Sequence, residues 1–461
     1  MNLNTARLPL TLLAVVETAI AYFAVAGTST LVVPSGQVVA AAHSLVSLEA
    51  GIVAVVLFAT QLSMGLYHFH QRLYFREILV RVFVAIVLAI VVLAVLFFLR
   101  PSIALPNDVA IIAVLVAFMA ILVVRFYFFR HFDTSIFRRR TLIFGTGDGI
   151  ATVSDLRRRS DRRGFVVVGT VDAAEHMKSI AENGQASAKD RLTKLAKSYA
   201  ADEIVVALED RRGSLPFREL LDCVFHDINV IELPDFLERE SGKIRTDLIN
   251  PSSLIFSPGF RTSTARRYFK RAFDLVICSA ILLVAWPLML CVAIAILIED
   301  GFRAPVIYRQ VRVGYKGADF SIFKFRSMSV DAESGTGAVW AQENDSRVTR
   351  VGKFIRKARL DELPQLINVL RGDMSFVGPR PERPEFVKKL AKEIPYYIER
   401  HMVKPGITGW AQLRYPYGSS DEDALQKLQF DLYYIKNQSV TLDAVLMLQT
   451  LEVVLFGKGS R

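Results

Sequence analysis

Residues 273–298 read FDLVICSAILLVAWPLMLCVAIAILI, an apolar run longer than the ~20 helical residues that cross a hydrocarbon core of ~30 Å. Arg266, Arg267, Lys270 and Arg271 precede it, and Arg303, Arg309 and Arg312 follow. Cationic flanks stay on the cytoplasmic side, so both ends belong to one face and a straight crossing would break that rule. Pro287, near the middle, removes a backbone donor and crowds the preceding turn, which predicts a kink or a break. A re-entrant helix hairpin over 273–298, entering and leaving by the same face, satisfies both observations. The alternative is an ordinary fifth span, which would place residues 300–461 outside the cell.

Upstream, four more apolar runs of spanning length lie at about 8–27, 45–66, 78–99 and 107–129. The connection 28–44 has no Lys or Arg and that near 100–106 has only Arg100, whereas 67–77 carries Arg72 and Arg76 and the last run meets Arg130, Arg138, Arg139 and Arg140. The asymmetry predicts a four-helix transmembrane bundle over 1–135 with both ends cytoplasmic. A cleavable signal peptide is the other reading of the first run, since Arg7 precedes it and Ala24-Val25-Ala26 offers a small-x-small site. Glu17 and Glu49 sit in or beside these runs, where a carboxylate marks either a transport path or a polar contact inside the bundle.

Between bundle and hairpin, Thr141-Leu142-Ile143-Phe144, Phe165-Val166-Val167-Val168-Gly169 and Glu203-Ile204-Val205-Val206-Ala207 alternate with polar helical stretches. Such repetition predicts a Rossmann-like α/β domain over 136–255. Gly145, Gly147 and Gly149 follow its first strand, where a glycine turn opening a helix presents amides to a nucleotide phosphate, and Asp172 stands where a ribose-binding acid would sit. The third glycine comes one residue early for the dinucleotide fingerprint, so a purely structural turn is the competing account.

Composition agrees with a membrane protein that carries polar domains. The 461 residues are 52% hydrophobic and 22% charged, with mean hydropathy +0.34, which excludes a disordered chain and an ordinary soluble enzyme. The net charge of +11 suits anionic lipid or a phosphorylated substrate; nucleic acid is not expected, because the cations gather at membrane boundaries and around a carboxylate pair. Cys223, Cys278 and Cys291 are too scattered for a disulfide framework or a zinc site.

Those carboxylates are Asp361 and Glu362. Pro364 is tolerated only in a first helical turn, and Gly372 ends the apolar stretch Leu366-Ile367-Asn368-Val369-Leu370, so Asp361 falls at or just before a helix N-terminus. There the helix dipole keeps it ionised and attracts phosphate. An ionised carboxylate beside phosphate can attack phosphorus if cations screen the two anions. Lys324 and Arg326 alternate on an expected strand and so share a face. Gly378-Pro379-Arg380-Pro381-Glu382-Arg383 presents Arg380 and Arg383 from a stiff turn suited to gripping phosphate oxygens. Glu362 is suited to hold magnesium that bridges the phosphates.

Lys324-Phe325-Arg326-Ser327-Met328, Leu360-Asp361-Glu362-Leu363-Pro364-Gln365, Val377-Gly378-Pro379-Arg380-Pro381 and Lys404-Pro405-Gly406-Ile407-Thr408-Gly409-Trp410 resemble, in order and spacing, the bacterial sugar transferase family. These are monotopic polyprenyl-phosphate phosphoglycosyl transferases, and the likeness covers about residues 266–461. It implies a catalytic domain over 256–461 that transfers a sugar 1-phosphate from a UDP-sugar to undecaprenyl phosphate and releases UMP, the first membrane step of exopolysaccharide, O-antigen or capsule assembly. By motif it implies Asp361 as nucleophile, Glu362 as partner in a Mg2+ site with it, Lys324, Arg326, Arg380 and Arg383 on phosphate, and Asp431 of Phe430-Asp431-Leu432-Tyr433-Tyr434 nearby. It also implies a bacterial inner membrane, a cytoplasmic catalytic face and a homodimer. Where small members have Ser before the hairpin proline, Trp286 stands here. Two other readings stay open: a membrane-bound nucleotide-sugar dehydratase or epimerase, against which no Tyr is followed four residues later by Lys, and a non-catalytic assembly scaffold.

Overall fold

A computed structural model describes residues 3–32, 42–67, 75–131, 138–154, 156, 164–183, 190–208, 215–249, 251–261, 263–299, 304–329, 347–415, 418 and 420–456. Arg72 and Arg303, two of the basic flanks, lie outside these residues. The chain forms two compact units, Met1–Phe236 and Leu237–Arg461.

The first unit opens with four helices, α1 (Leu3–Val32), α2 (Ala42–Ser63), α3 (Phe75–Leu99) and α4 (Asn107–His131), one for each apolar run. Leu10–Ser29, Arg81–Leu99 and Asn107–Arg130 are long and apolar enough to cross a membrane, and Leu48–Ser63 is a shorter apolar stretch. Small residues recur where the helices meet. Ala21, Ala24, Ala50, Ala54, Ala85, Ala89, Ala113 and Ala117 are buried between helices, while Val15, Phe23, Val55, Val91, Phe98 and Leu115 point outward. Alanines at helix contacts, with large apolar residues left facing outward, fit helices packed in lipid, where small residues let backbones approach closely. This is a membrane protein with mixed α/β domains.

Glu17 on α1 is buried against Arg125 on α4. The guanidinium meets the carboxylate at 2.7 Å through both Nε and Nη2, and the Tyr67 hydroxyl donates to Glu17 at 2.5 Å. The polar-contact account of Glu17 therefore holds, with a cation from inside an apolar run as its partner.

After the bundle come strands β1 (Arg139–Gly145), β2 (Phe165–Asp172), β3 (Glu203–Ala207) and β4 (Asn229–Glu232), all parallel in the order β2-β1-β3-β4. Leu142, Phe144, Ile204 and Val206 form its core with Leu192, Leu220 and Cys223 from the covering helices. A Cβ on Gly145 or Gly149 would strike the Ala207 carbonyl, so both are glycine because the β1 turn packs directly on β3. Gly147, with open space around it, begins the helix α5 (Gly147–Ser154). Asp172 caps the following helix, accepting from the Ala174 amide at 2.8 Å.

The second unit begins earlier than the boundary at 255 expected from sequence. Residues 237–249 pack into it: Ile244 is buried with Leu428, Leu432 and Tyr397, and the Trp410 indole donates to the Gly242 carbonyl at 2.7 Å. The apolar run is one helix, α6 (Thr264–Glu299), with Pro287 inside it, so of the kink or break expected there the break does not occur. An antiparallel pair follows, β5 (Ile307–Val313) and β6 (Asp319–Phe325), then α7 (Arg350–Lys357), α8 (Gln365–Arg371), β7 (Ser375–Val377), α9 (Pro384–Glu393), β8 (Gly406–Thr408) parallel to β7, α10 (Trp410–Arg414), α11 (Asp421–Asn437) and α12 (Val440–Phe456). The first turns of α12 are packed into this unit. Asp443 and Leu446 are fully buried, and Asp443 pairs with Lys270 at 2.7 Å.

Both arms of α6 rest on this unit. On the first, Arg271 donates to the Val369 and Leu370 carbonyls, at 2.5 and 2.8 Å, and Asp274 accepts from the Phe376 amide. On the second, Val292 and Ile296 pack with Phe325 and Ile355, and Glu299 accepts from the Arg350 amide at 2.8 Å. Between the arms, Leu283 and Val284 are 75% and 79% exposed, and Trp286 is exposed beside them. Asn368 of α8 completes the frame by acting as a third strand for β6: its carbonyl accepts from the Phe323 amide at 3.0 Å and its amide donates to the Ser321 carbonyl at 2.8 Å.

Two stability tests follow from these contacts. Arg125→Met leaves Glu17 as an uncompensated buried charge and is expected to destabilise by about 3–5 kcal/mol, with much of the loss recovered in Glu17→Leu/Arg125→Met. Denaturation in micelles measures both, and equal stability of single mutant and wild type would contradict the pairing. Asn368→Leu strands two backbone groups of β6 and should cost about 2–5 kcal/mol. Thermal unfolding of the purified protein reads this directly.

Candidate active site

Asp361 and Glu362 lie in a one-turn 3-10 segment, Leu360–Glu362, between α7 and α8. The Thr349 hydroxyl caps the start of α7 by accepting from the Gly352 amide, and Arg359, at φ 58°, turns the chain out of that helix. Pro364 is the last residue before α8, and Gly372, at φ 96°, stops it in the left-handed region that glycine allows. The helix limits inferred from Pro364 and Gly372 thus hold, and Asp361 occupies a separate turn just upstream.

Glu362 is the most heavily paired group here. Its Oε1 accepts from Lys324 Nζ at 3.2 Å and Arg380 Nη2 at 3.1 Å. Burial works to raise its pKa, yet Lys324, Arg380 and Arg359 overcome that and hold it well below the usual carboxylate range. Asp361 differs. Among the described residues its carboxylate accepts no hydrogen bond and forms no ion pair, and burial raises its pKa against the pull of Lys324. Two adjacent carboxylates are therefore driven apart, one locked as a counterion and one left with available lone pairs. Burial also lowers the pKa of Lys324, with Glu362 opposing.

The other expected residues are not equally placed. Arg326 lies just past the end of β6, its amide extending the ladder to the Val306 carbonyl at 2.9 Å and its side chain buried. Arg383 precedes α9, and its guanidinium lies 3.5 Å from Glu385 rather than joining Arg380 on Glu362. Asp431 is buried on α11 and reaches the site indirectly: it accepts from Arg400 at 2.8 Å, and Arg400 donates onward to the Arg380 carbonyl at 3.1 Å. Gly145, Gly147 and Gly149 belong to the other unit. Sequence reasoning missed Asn368, Arg400 and the role of Arg312. Arg312 had a signal: Tyr308, Gln310 and Arg312 alternate along β5 on the face that Lys324, opposite Tyr308, presents.

Among the described residues no group of three or more His, Cys, Asp or Glu could hold a metal. Two neighbouring carboxylates, one with both cation contacts on a single oxygen, fit magnesium otherwise held by water and substrate phosphates, as this ion commonly is.

A sequence profile described as bacterial sugar transferase matches residues 265–457. A UDP-N-acetylgalactosamine-undecaprenyl-phosphate N-acetylgalactosaminephosphotransferase of Aeromonas hydrophila is 42% identical over 247 residues, 53% of this chain and 56% of that protein. A UDP-glucose:undecaprenyl-phosphate glucose-1-phosphate transferase of Escherichia coli K12 is 35% identical over 289 residues, 62% of this chain and 61% of that protein. The aligned part thus spans little more than half the length of these relatives. A putative undecaprenyl-phosphate N-acetylgalactosaminyl 1-phosphate transferase of Bacillus subtilis is 51% identical over 131 residues, 28% of this chain but 72% of that protein. The residues that build the Asp361 turn, the Lys324 strand and the Arg380 loop all fall inside the matched region, and the chain belongs to the bacterial sugar transferase family.

Proposed function

We propose that this protein transfers a sugar 1-phosphate from a UDP-sugar to undecaprenyl phosphate on the cytoplasmic face of a bacterial inner membrane, opening exopolysaccharide, O-antigen or capsule assembly. The observation that carries the reading is the unpaired, half-buried Asp361 carboxylate beside Glu362, which Lys324 and Arg380 share. Asp361 attacks the β-phosphorus of the donor, its oxygen forming the new P–O bond as the bond to UMP breaks, and UMP departs with the bonding pair. An oxygen of the lipid phosphate then attacks the same phosphorus and releases the Asp361 carboxylate. Lys324 and Arg380 stabilise charge on the phosphoryl oxygens, while Glu362 keeps those cations aimed at that place. Magnesium held by Asp361, Glu362 and the substrate phosphates would neutralise the diphosphate when bound.

The contacts of α6 favour a re-entrant path. A full crossing would put its two ends on opposite sides of ~30 Å of hydrocarbon, yet both ends touch one polar unit, which would then have to span the bilayer. With α6 bent at Pro287 and only the exposed apolar middle around Trp286 inserted, both arms remain on the cytoplasmic side, bringing the interface-bound lipid phosphate to a water-side carboxylate. The parallel sheet supports a doubly wound α/β reading of the central domain, its order β2-β1-β3-β4 following the flavodoxin-like 2-1-3-4 series rather than the Rossmann 3-2-1-4 one. A homodimer is part of the proposal.

Purified protein in nanodiscs, given magnesium, undecaprenyl phosphate and UDP-N-acetylgalactosamine, UDP-glucose or UDP-galactose, should release UMP with at least one donor. Asp361→Asn should lower that release at least ~1,000-fold. Lipid-dependent release that survives in the variant would remove Asp361 as nucleophile. Followed by NMR in the metal-free protein, the Asp361 carboxyl should titrate along a limb lying above the ordinary aspartate range, because burial raises its pKa. Glu362, held low, adds no limb of its own. A midpoint within the ordinary aspartate range would contradict this expectation.

A further inference from the structure

The loop that carries Arg380 is held by its carbonyls. Pro379 O accepts from the Gly406 amide at 2.9 Å, Arg380 O from Arg400 Nη2 at 3.1 Å, Pro381 O from Arg312 Nη1 at 3.2 Å and Glu382 O from the Val313 amide at 2.9 Å. Four successive peptide oxygens are thus tied to four places on the chain. Pro379 and Pro381 add fixed φ and remove the amides that would compete for other partners. The approach of the strands is equally constrained: a Cβ on Gly378 or Gly406 would collide with the backbone of the other's segment.

Two of the four ties come from arginine side chains, and each arginine is itself oriented. Arg400, buried, donates from Nη1 to the Tyr397 hydroxyl at 2.7 Å and from Nη2 to Asp431 at 2.8 Å. Arg312 donates from Nε and Nη2 to the Gln310 side-chain oxygen, at 3.0 and 2.5 Å, with Glu382 lying 3.7 Å from Nη1. Each guanidinium is held on one edge and grips a peptide oxygen with another N–H. Only a rigid multi-donor fork can do both; an ammonium keeps the charge but not the geometry.

We infer that Arg312 and Arg400 are positioning residues, fixing the Pro379–Glu382 loop so that the Arg380 guanidinium stands on Glu362 before substrate arrives. They act through Arg380, and Asp431 acts through Arg400. Placing a phosphate ligand in this way matters because small displacements of a charged group from its target are costly in rate. The inference rests on the proposed role of Arg380 at the donor phosphates.

The test is a double-mutant cycle on the full-length protein in nanodiscs. Arg312→Lys and Arg400→Lys should each lower kcat/KM for UMP release about 10- to 100-fold, the range typical of groups that orient a functional shell. In an Arg380→Ala background the same changes should cost less than about threefold, since there is no guanidinium left to place. The same factor in both backgrounds would overturn the inference and make the arginines either direct substrate ligands or general stabilisers. Hydrogen exchange over residues 375–390 gives a readout independent of activity: both Lys variants should speed exchange there about tenfold, and unchanged protection would equally overturn it. If wild-type protein released no UMP from any donor, the proposed function would fail, and the exchange measurement would still decide whether these arginines fix the loop.

Discussion

One carboxylate oxygen, Glu362 Oε1, is shared by a lysine from a strand and an arginine from a loop. Everything around the site follows from the cost of burying those charges. An isolated buried ion is prohibitive, and a pair compensates only with good geometry and its remaining donors satisfied. Lys324 and Arg380 carry one more positive charge than Glu362 can cancel. That surplus is held beside Asp361, where burial raises the pKa rather than pairing lowering it. A site that neutralised itself completely would have nothing left with which to attract a phosphate. Here the unbalanced cation and the unpaired carboxylate are neighbours.

The membrane helix is tied to the same place by helix-end electrostatics. Arg271 sits on the carbonyl end of α8, where a cation is favoured, and Glu299 on the amide end of α7, where an anion is favoured. These are the two helices that flank the Asp361–Glu362 turn. The helix proposed to enter the lipid and the turn that carries the candidate nucleophile therefore share their end groups, and neither can be displaced without uncapping the other. Asn368 joins the third part by holding the Lys324 strand to α8.

What was legible in the sequence divides along this line. That Lys324, Glu362 and Arg380 belong together, with Asp361 beside them, could be read because charged residues in short proline- and glycine-bounded stretches are informative by themselves. Residues whose meaning lies in a distant partner were not legible. Glu17 and Arg125 are 108 positions apart, and nothing in either apolar run announces the pairing. Asn368 reads as one polar residue in a short apolar helix until β6 is brought against it. Arg383 is placed differently from its neighbour Arg380: it precedes a helix, and its guanidinium lies 3.5 Å from Glu385. Residues 237–249 join the second unit for a related reason, since the burial of Ile244 depends on Leu428 and Leu432, far along the chain.

Under the proposed reaction a single phosphorus is attacked twice, first by Asp361 and then by a lipid phosphate, with UMP leaving in between. Each step brings anions together, and the cations that screen them must serve both without following either substrate out. Fixed peptide geometry does this better than flexible side chains alone. The Arg380 loop is anchored at four carbonyls, and the Lys324 strand has both edges occupied, one by β5 and the other by Asn368. Such a frame stabilises charge with little reorganisation at the moment of reaction, which is the condition under which electrostatic stabilisation contributes most. The freedom the reaction needs is then left to the ligands: a soluble nucleotide that diffuses away from the water side, and a lipid that moves in the plane of the membrane to a carboxylate held still at its edge.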